Sequence, residues 1–279
     1  MKDGRAMSMV MDAAETDGAD AVRRRQPLAR GIELLTYMVE SKRDAHGVRE
    51  LAGRLGVSPS TAHRLITDLE KLGLVRRAEN GQSYRLGLEF LRLAWLTTGR
   101  YPSQELALGV LQGLVAETGE SAFSSLYDEQ RHQMMFTSTV ESPHPLRYSL
   151  PLQEWLPLHG GASGLAILAF LPDDVQRKIV SKPLAQLTPH TLTDPDALLE
   201  RLAKVRRDGY SITHGERIEG AVSIAAPVFG LVPGSVAGAA GISIPESRYD
   251  ESQAPELTRH VKQAAAQITA NISGQRLDR

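Results

Sequence analysis

Between Ser58 and Lys71 the chain spaces its hydrogen-bonding side chains so that one edge of a helix would carry them. Ser60, Thr61, His63, Arg64, Thr67 and Lys71 fall away from Ala62, Leu65, Ile66, Leu69 and Leu72, which form an apolar stripe at helical spacing. Hydroxyl, imidazole, guanidinium and ammonium groups gathered in this way donate to base edges and phosphate oxygens, and Arg64 has the planar fork for a bidentate guanine contact. His63 suits capping or packing as well as it suits a base. A few residues later Arg76, Arg77 and Arg85 add cations fit for phosphate or for a narrow minor groove. Arg23-Arg24-Arg25 has the composition of a minor-groove arm, and equally of a solvated run.

Charge points the same way without deciding the matter. From Arg23 to Arg85 thirteen bases face seven acids, a net +6, whereas the whole chain of 279 residues carries a formal net charge of −1. A basic segment on an otherwise acidic protein suits a module that meets a polyanion, although a charge-laced solvated face has the same arithmetic.

Other chemistries lack their spacing. Gly161-Ala162-Ser163-Gly164-Leu165 breaks the Gly-x-Ser-x-Gly pattern of a nucleophile elbow, and neither His159 nor His214 has a carboxylate paired with it in the sequence. No phosphate-cradling loop or dinucleotide fingerprint occurs, so neither catalytic residues nor a cofactor are expected. The chain has no cysteine and its eight histidines include no HxH or HExxH pair, so no metal site is expected either. A composition of 42% hydrophobic and 23% charged residues is that of an ordinary globular protein. No apolar run approaches the ~20 residues of a membrane helix. No secretory h-region precedes residue 27, and the expected location is the cytoplasm.

The elements needed to position these groups follow from periodicity and punctuation. A first helix spans about Leu28 to Val39, with Leu28, Ile32, Leu35 and Val39 at helical spacing and Leu34 and Met38 beside them. Ser41 to Gly47 reads as a polar turn, and a second helix covers Val48 to Leu55. Ser58 is an N-cap with Pro59 in the first turn, and the third helix runs to about Leu72, where Gly73 ends it. Two short strands, 74–77 and 83–86, flank Glu79-Asn80-Gly81 as a hairpin. Three helices and a hairpin spell a winged helix-turn-helix, in which the third helix enters the major groove. The same amphipathic unit would also serve a protein contact; the agreement of caps, turn glycine and basic hairpin favours DNA.

A helix from Leu88 to about Thr98 has a broad apolar face that would pair with a copy of itself. After a helix at Gln104–Glu117, short strands are expected at Ala122–Tyr127, Gln133–Thr139 and Leu146–Leu150. The small-residue turn 159–164 opens a helix through Phe170, followed by helices at Asp173–Val180 and Pro195–Asp208. Strands at Tyr210–Thr213, Ala221–Val228 and Ser235–Ile244 and a last helix from Pro255 to about Ile272 complete an α+β domain on an antiparallel sheet. The expected organisation is an arm at 1–26, a winged helix at 27–87, a linker helix at 88–101 and a second domain at 102–279. Gly160-Gly161 ahead of a helix suits an anionic group, or close packing of that helix on the sheet.

Three stretches give the chain a family likeness. They are Leu28-Ala29-Arg30-Gly31-Ile32-Glu33-Leu34-Leu35 leading to a wing that ends Tyr84-Arg85-Leu86-Gly87; Leu156-Pro157-Leu158-His159 with its small-residue turn; and Gly209-Tyr210 through Ala225-Ala226-Pro227-Val228 to Ile242-Ser243-Ile244-Pro245-Glu246-Ser247-Arg248. In this order and spacing, the sequence after residue 26 resembles the isocitrate-lyase-regulator (IclR) family of bacterial transcription factors. The resemblance implies a winged helix, a linker helix and a GAF-like effector domain, in dimers or tetramers that repress or activate genes on operator DNA in response to a small organic effector. Carried over position by position, it implies effector contacts at Ala162 and Ser163, at Thr213, Ala221 and Ser223, and at Gly241 and Ser243, with Tyr148 on the preceding hairpin as a wall. An organic or aromatic acid is one effector class. Thr213 and Ser223 stand where some members carry an acid and a cysteine, and Gly164-Leu165 where many carry Gly-Lys, which points to a less polar ligand. The alternative is a second domain that binds no ligand and serves only to dimerise.

Overall fold

A computed structural model describes residues 27–79, 81–100 and 103–274. The expected arm 1–26, with Arg23, Arg24 and Arg25, and the hairpin residue Asn80 lie outside the described residues. The chain divides into two compact units, Met1–Tyr101 and Pro102–Arg279.

The first unit runs α1 (Pro27–Glu40), β1 (His46–Gly47), α2 (Val48–Leu55), α3 (Pro59–Lys71), β2 (Val75–Arg77), β3 (Ser83–Leu86) and α4 (Leu88–Arg100). Ser58 caps α3 as its residue type dictates, its Oγ accepting from the Thr61 N–H at 3.2 Å, with Pro59 in the first turn. Ala62, Leu65, Ile66 and Leu69 are buried, and Ile66 and Leu69 pack with Leu34, Leu51, Val75 and Tyr84. Burying each such aliphatic side chain contributes about 1.5–3 kcal/mol. Leu72 departs from the expected stripe: it is the residue after α3 and is 64% exposed. The core face of α1 is also rotated from expectation. Gly31, Leu34, Leu35 and Met38 point inward, leaving Leu28, Ile32 and Val39 exposed. Nearly every arc of α1 carries an apolar residue, and Gly31 adds no hydrophobic signal although it lies on the buried side.

The polar turn at 41–47 conceals a strand. His46 and Gly47 pair with Tyr84 and Ser83, so the wing has three strands in the order β1-β3-β2. His46 is buried, and both of its ring nitrogens meet acceptors: Nδ1 lies 2.9 Å from Glu50 Oε1 and Nε2 3.2 Å from the Arg43 carbonyl. Glu50 also accepts from the Tyr37 hydroxyl at 3.1 Å. The His46 hydrogen bond leads the causes that hold the Glu50 carboxyl below the usual range; Tyr37 and the Gly47 N–H add to it, and burial opposes.

The second unit holds α5 (Ser103–Thr118), β4 (Ser121–Asp128), β5 (Gln133–Val140), β6 (Leu156–Pro157), α6 (Ala162–Leu168), α7 (Asp173–Val180), α8 (Pro195–Asp208), β7 (Ser211–His214), β8 (Ala221–Phe229), β9 (Val236–Pro245) and α9 (Ala254–Ser273). The sheet is antiparallel, in the order β6-β5-β4-β9-β8-β7. Alternation gives it two apolar faces. Ile224, Ala226, Ala240, Ile242 and Ile244 pack under α5 and α9, while Phe123, Phe136, Ala225 and Ala239 pack under α6, α7 and α8. The expected strand at Leu146–Leu150 does not form. Pro143, Pro145 and Pro151 remove backbone donors around it, and Tyr148 therefore sits on an irregular segment rather than a hairpin. The α+β class, with a winged helix first and a mixed domain second, is as the sequence predicts.

Candidate nucleic-acid interface and effector cavity

On α3 the side facing away from the core is Ser60, His63, Arg64 and Lys71, all exposed, with Thr61 and Thr67 half-buried between them. Arg64 and His63 make no hydrogen bond or ion pair with another described side chain, which leaves their donors free. Ser60 and Thr61 share hydrogen bonds with Ser58 Oγ at 2.9 Å, and the Thr67 hydroxyl donates to the His63 carbonyl. These three hydroxyls are held by their own helix. Lys71 lies 3.2 Å from Asp68 and Arg77 3.5 Å from Glu70, exposed pairs of small worth that yield readily to a stronger anion.

The wing carries a less usual arrangement. In the β2–β3 register Arg76 stands directly opposite Arg85, and Arg85 Nε is buried without a partner. Like charges opposed across a strand pair are destabilising. An anion between them removes that repulsion, which is what a phosphate would do.

In the second unit, five of the eight expected effector residues line one cavity: Ala162, Ser163, Thr213, Ala221 and Ser223. Register explains part of this grouping. Thr213 pairs with Ser223 and Ser223 with Ser243, so a row of hydroxyls crosses β7, β8 and β9 on the same sheet face. The Thr213 and Ser223 hydroxyls have no hydrogen-bond partner among the described residues. Ser243 Oγ is buried and unpartnered but lies outside the cavity lining. Ser163 is occupied: its hydroxyl shares a hydrogen bond with Ser125 at 2.8 Å, and Ser125 is tied to the Ala239 backbone, so Ser163 docks α6 on the sheet.

Gly241 does not line the cavity. A Cβ there would fall 2.2 Å from the Ile224 carbonyl oxygen and 2.8 Å from Phe123, so its bareness admits the neighbouring strand and the aromatic ring. Tyr148 also stands outside the lining, with its hydroxyl against Gly220.

Gly161, singled out from the sequence with Gly160, also lines it, and Phe123, Phe136, Leu150, Glu216, Arg217 and Ile218, which were not, complete the walls. The signal that would have found the charged pair is Glu216-Arg217 itself, adjacent charges in a short glycine-bounded loop between two apolar strands. Glu216 is buried and accepts from Arg201 at 3.0 Å through Oε1, while Oε2 has no partner. Burial pushes its carboxyl up, against the opposing pull of Arg201, the Gly161 N–H and His214. Burial pushes the Arg217 guanidinium down to about 10. The cavity holds about 20 Å³, room for a single water.

Three helices with a basic three-stranded wing, followed by a six-stranded sheet with helices on both faces, define a winged-helix DNA-binding protein with a second, mixed domain. Comparison with known proteins makes the class specific. Residues 27–79 match the IclR helix-turn-helix domain and residues 99–270 the domain described as bacterial transcriptional regulator IclR C-terminal. The chain is 31% identical over 259 residues to the transcriptional repressor IclR of Escherichia coli K12, covering 90% of this chain and 91% of that one. A solved IclR-type regulator from Silicibacter sp. TM1040 is 31% identical, covers 91% of this chain and 98% of its own, and superposes with a TM-score of 0.77. An IclR homolog from Microbacterium hydrocarbonoxydans, solved in complex with 4-hydroxybenzoate, is 25% identical with a TM-score of 0.75, covering 90% of this chain and 100% of its own. The chain belongs to the IclR family: it is a DNA-binding transcriptional regulator, and its curated relatives are named as regulators and repressors, not enzymes. No helix among the described residues is long and apolar enough to cross a membrane.

Proposed function

We propose that this regulator reads operator DNA through Ser60, Thr61, His63, Arg64, Thr67, Lys71, Arg76, Arg77 and Arg85 and responds to a small organic effector held in the cavity of its second unit. The winged helix is assigned to 27–87, the linker to 88–101 and the sensor to 102–279, in a cytoplasmic protein. The cavity carries the sensing half of this reading: Ala162, Ser163, Thr213, Ala221 and Ser223 converge on it, and two of their hydroxyls are unspent. The 4-hydroxybenzoate held by the Microbacterium relative supports a ligand of organic-acid size. Leu88, Leu91, Trp95 and Leu96 on α4 are exposed, which supports pairing with a second copy and the presentation of two winged helices to successive half-sites. Effector binding then shifts the population between placements of those helices, by no more than its differential affinity for them.

Two measurements on the full-length protein test this. DNA affinity should fall about 10³-fold between 50 and 200 mM salt if about six phosphates are contacted, and a flat dependence would remove DNA from the reading. A thermal-shift screen with organic acids, alcohols, sugars and lactones should find a ligand that adds about 2.7 kcal/mol at 100 times its dissociation constant and changes operator affinity. The small free volume favours a second reading, a domain that only assembles the dimer. Intact DNA binding with no shift from any compound would select that one.

A further inference from the structure

The wing has a second face, which carries a cleft that no residue of α3 lines. Alternation along β2 and β3 turns Val75, Arg77, Tyr84 and Leu86 to the side of the α3 core, with the Arg77 guanidinium over the Tyr84 ring. Arg76 and Arg85 are left on the opposite face. There they join Ser41, Arg43, Asp44 and His46 around a cleft of about 340 Å³. Arg85 is half-buried, and its Nε is shut off from solvent without a partner. Neither Arg76 nor Arg85 pairs with an acid among the described residues, although the register sets them opposite each other. Arg43 has Glu50 at 3.6 Å, with its own side chain 72% exposed, a contact of small worth. Ser41 Oγ accepts from the Arg43 N–H at 3.2 Å and keeps its own hydrogen to give. His46 is a wall only, since both ring nitrogens are already engaged with Glu50 and the Arg43 carbonyl. Three guanidiniums therefore share the cleft with one carboxylate, Asp44. Opposed like charges and a buried unspent donor both cost stability, and an anion in the cleft restores it.

From this geometry we infer that the back of the wing is a phosphate site, in which Arg43, Arg76, Arg85 and Ser41 hold one phosphate group. A planar carboxylate is satisfied by a single guanidinium fork. A tetrahedral phosphate offers oxygens in several directions, which cations from a turn and two strands can divide among them. Two sources present that chemistry: the DNA backbone, and a free phosphate or phosphate ester. Arg76 and Arg85 are shared with the DNA reading above, on which the backbone source rests; Arg43 and Ser41 are added to it. A free phosphate in the cleft would give the DNA-binding unit a ligand of its own, separate from the cavity of the second unit.

The test uses full-length wild type, Arg43→Met, Arg85→Met and Arg85→Lys, each titrated with inorganic phosphate by phosphorus NMR at constant ionic strength, with acetate as the planar control. Phosphate should saturate one site per chain and acetate should bind more weakly. Arg85→Met should lose about 10- to 150-fold in phosphate affinity, the range for hydrogen bonds to a charged group, and Arg85→Lys should keep part of it. Ligand-free Arg85→Met should melt at or above wild type, because the opposed charges are gone. Arg43→Met, altered at an exposed side chain, keeps the test clear of folding and should also bind phosphate more weakly. A random-sequence duplex distinguishes the sources. Weaker duplex binding when phosphate replaces chloride, or a salt slope about one unit smaller in Arg43→Met, assigns the cleft to the DNA backbone. Bound phosphate with duplex affinity unmoved assigns it to a free phosphate or phosphate ester. Equal phosphate affinity in wild type and both Met variants would overturn the inference, as would no saturable phosphate binding together with an unchanged salt slope in Arg43→Met. Phosphate binding by a wild type that ignores DNA would strike the DNA reading and leave the phosphate site standing.

Discussion

The two units place their candidate contact groups differently. In the first, Arg64 and Arg76 are exposed and make no hydrogen bond or ion pair among the described residues, while Lys71 pairs with Asp68, and Arg77 with Glu70 and the face of Tyr84. That surface is ready before a polyanion arrives and owes little of its fold to the charges. In the second, Thr213 and Ser223 line a cavity with room for one water. An outward cation is hydrated and available at no cost to stability, whereas a group lining a closed cavity is reached only when the walls move. The difference separates an open surface from a closed cavity.

The sharpest way to break this comparison is to fill the closed half. Gly241→Val should destabilise the second unit by about 3 kcal/mol or more through overpacking against Ile224 and Phe123. Its melting transition should fall by about 6–12 °C. A variant that melts like wild type would mean the sheet is looser than its packing implies. Next, Arg64→Ala should cost about 1–3 kcal/mol of operator affinity and relax discrimination at one base position while leaving the melting temperature alone. Equal loss on operator and random DNA would demote Arg64 to a phosphate contact. Ser58→Ala, which removes the cap of α3, should cost about 1 kcal/mol of stability in the first unit. Calorimetry that resolves the two units would show whether the second is spared.

The smallest effects run in opposite directions with pH. Glu50 has a folded pKa below its unfolded value, so its contribution is present above about 4.5 and is lost as pH falls through the folded value. Glu216 has a folded pKa above its unfolded value, so the fold loses stability as pH rises from about 4.5 through that value. Acidification should therefore weaken the first unit at the Glu50 site while relieving the second at Glu216. Glu50→Gln and Glu216→Gln should each flatten the pH profile of its own unit. Profiles of the same sign would sever the contrast.

Most of the element order was legible in the sequence because punctuation was strong. Ser58-Pro59 opens α3, Asp194-Pro195 opens α8 and Gly209 closes it, all by local chemistry. Legibility failed where a long-range partner decides. His46 and Gly47 become a strand only because β3 is there to pair with them, and α1 turns Gly31 inward because the core lies on that side. The alternation at Leu146–Leu150 was a strand pattern overruled by flanking prolines. At the candidate site, family likeness located the hydroxyl row, since register keeps Thr213, Ser223 and Ser243 abreast. Gly241 came along for a different reason, the approach of neighbouring atoms. Arg217 stayed hidden because only the fold brings its loop to the cavity wall.

The two apolar faces of the sheet have a mechanical consequence. Along β8, Ala221, Ser223 and Ala225 border or underlie the cavity, while Ile224, Ala226 and Val228 bear on the layer formed by α5 and α9. A strand is a stiff lath between these layers, hydrogen-bonded to β7 on one side and β9 on the other. Anything that pushes Ser223 away from α6 must carry the intervening residues with it, toward α5 and α9, by a comparable amount. The sheet then acts as a diaphragm: occupancy on one side becomes pressure on the helices of the other, and α5, the first helix of its unit, receives that stroke without touching the occupant.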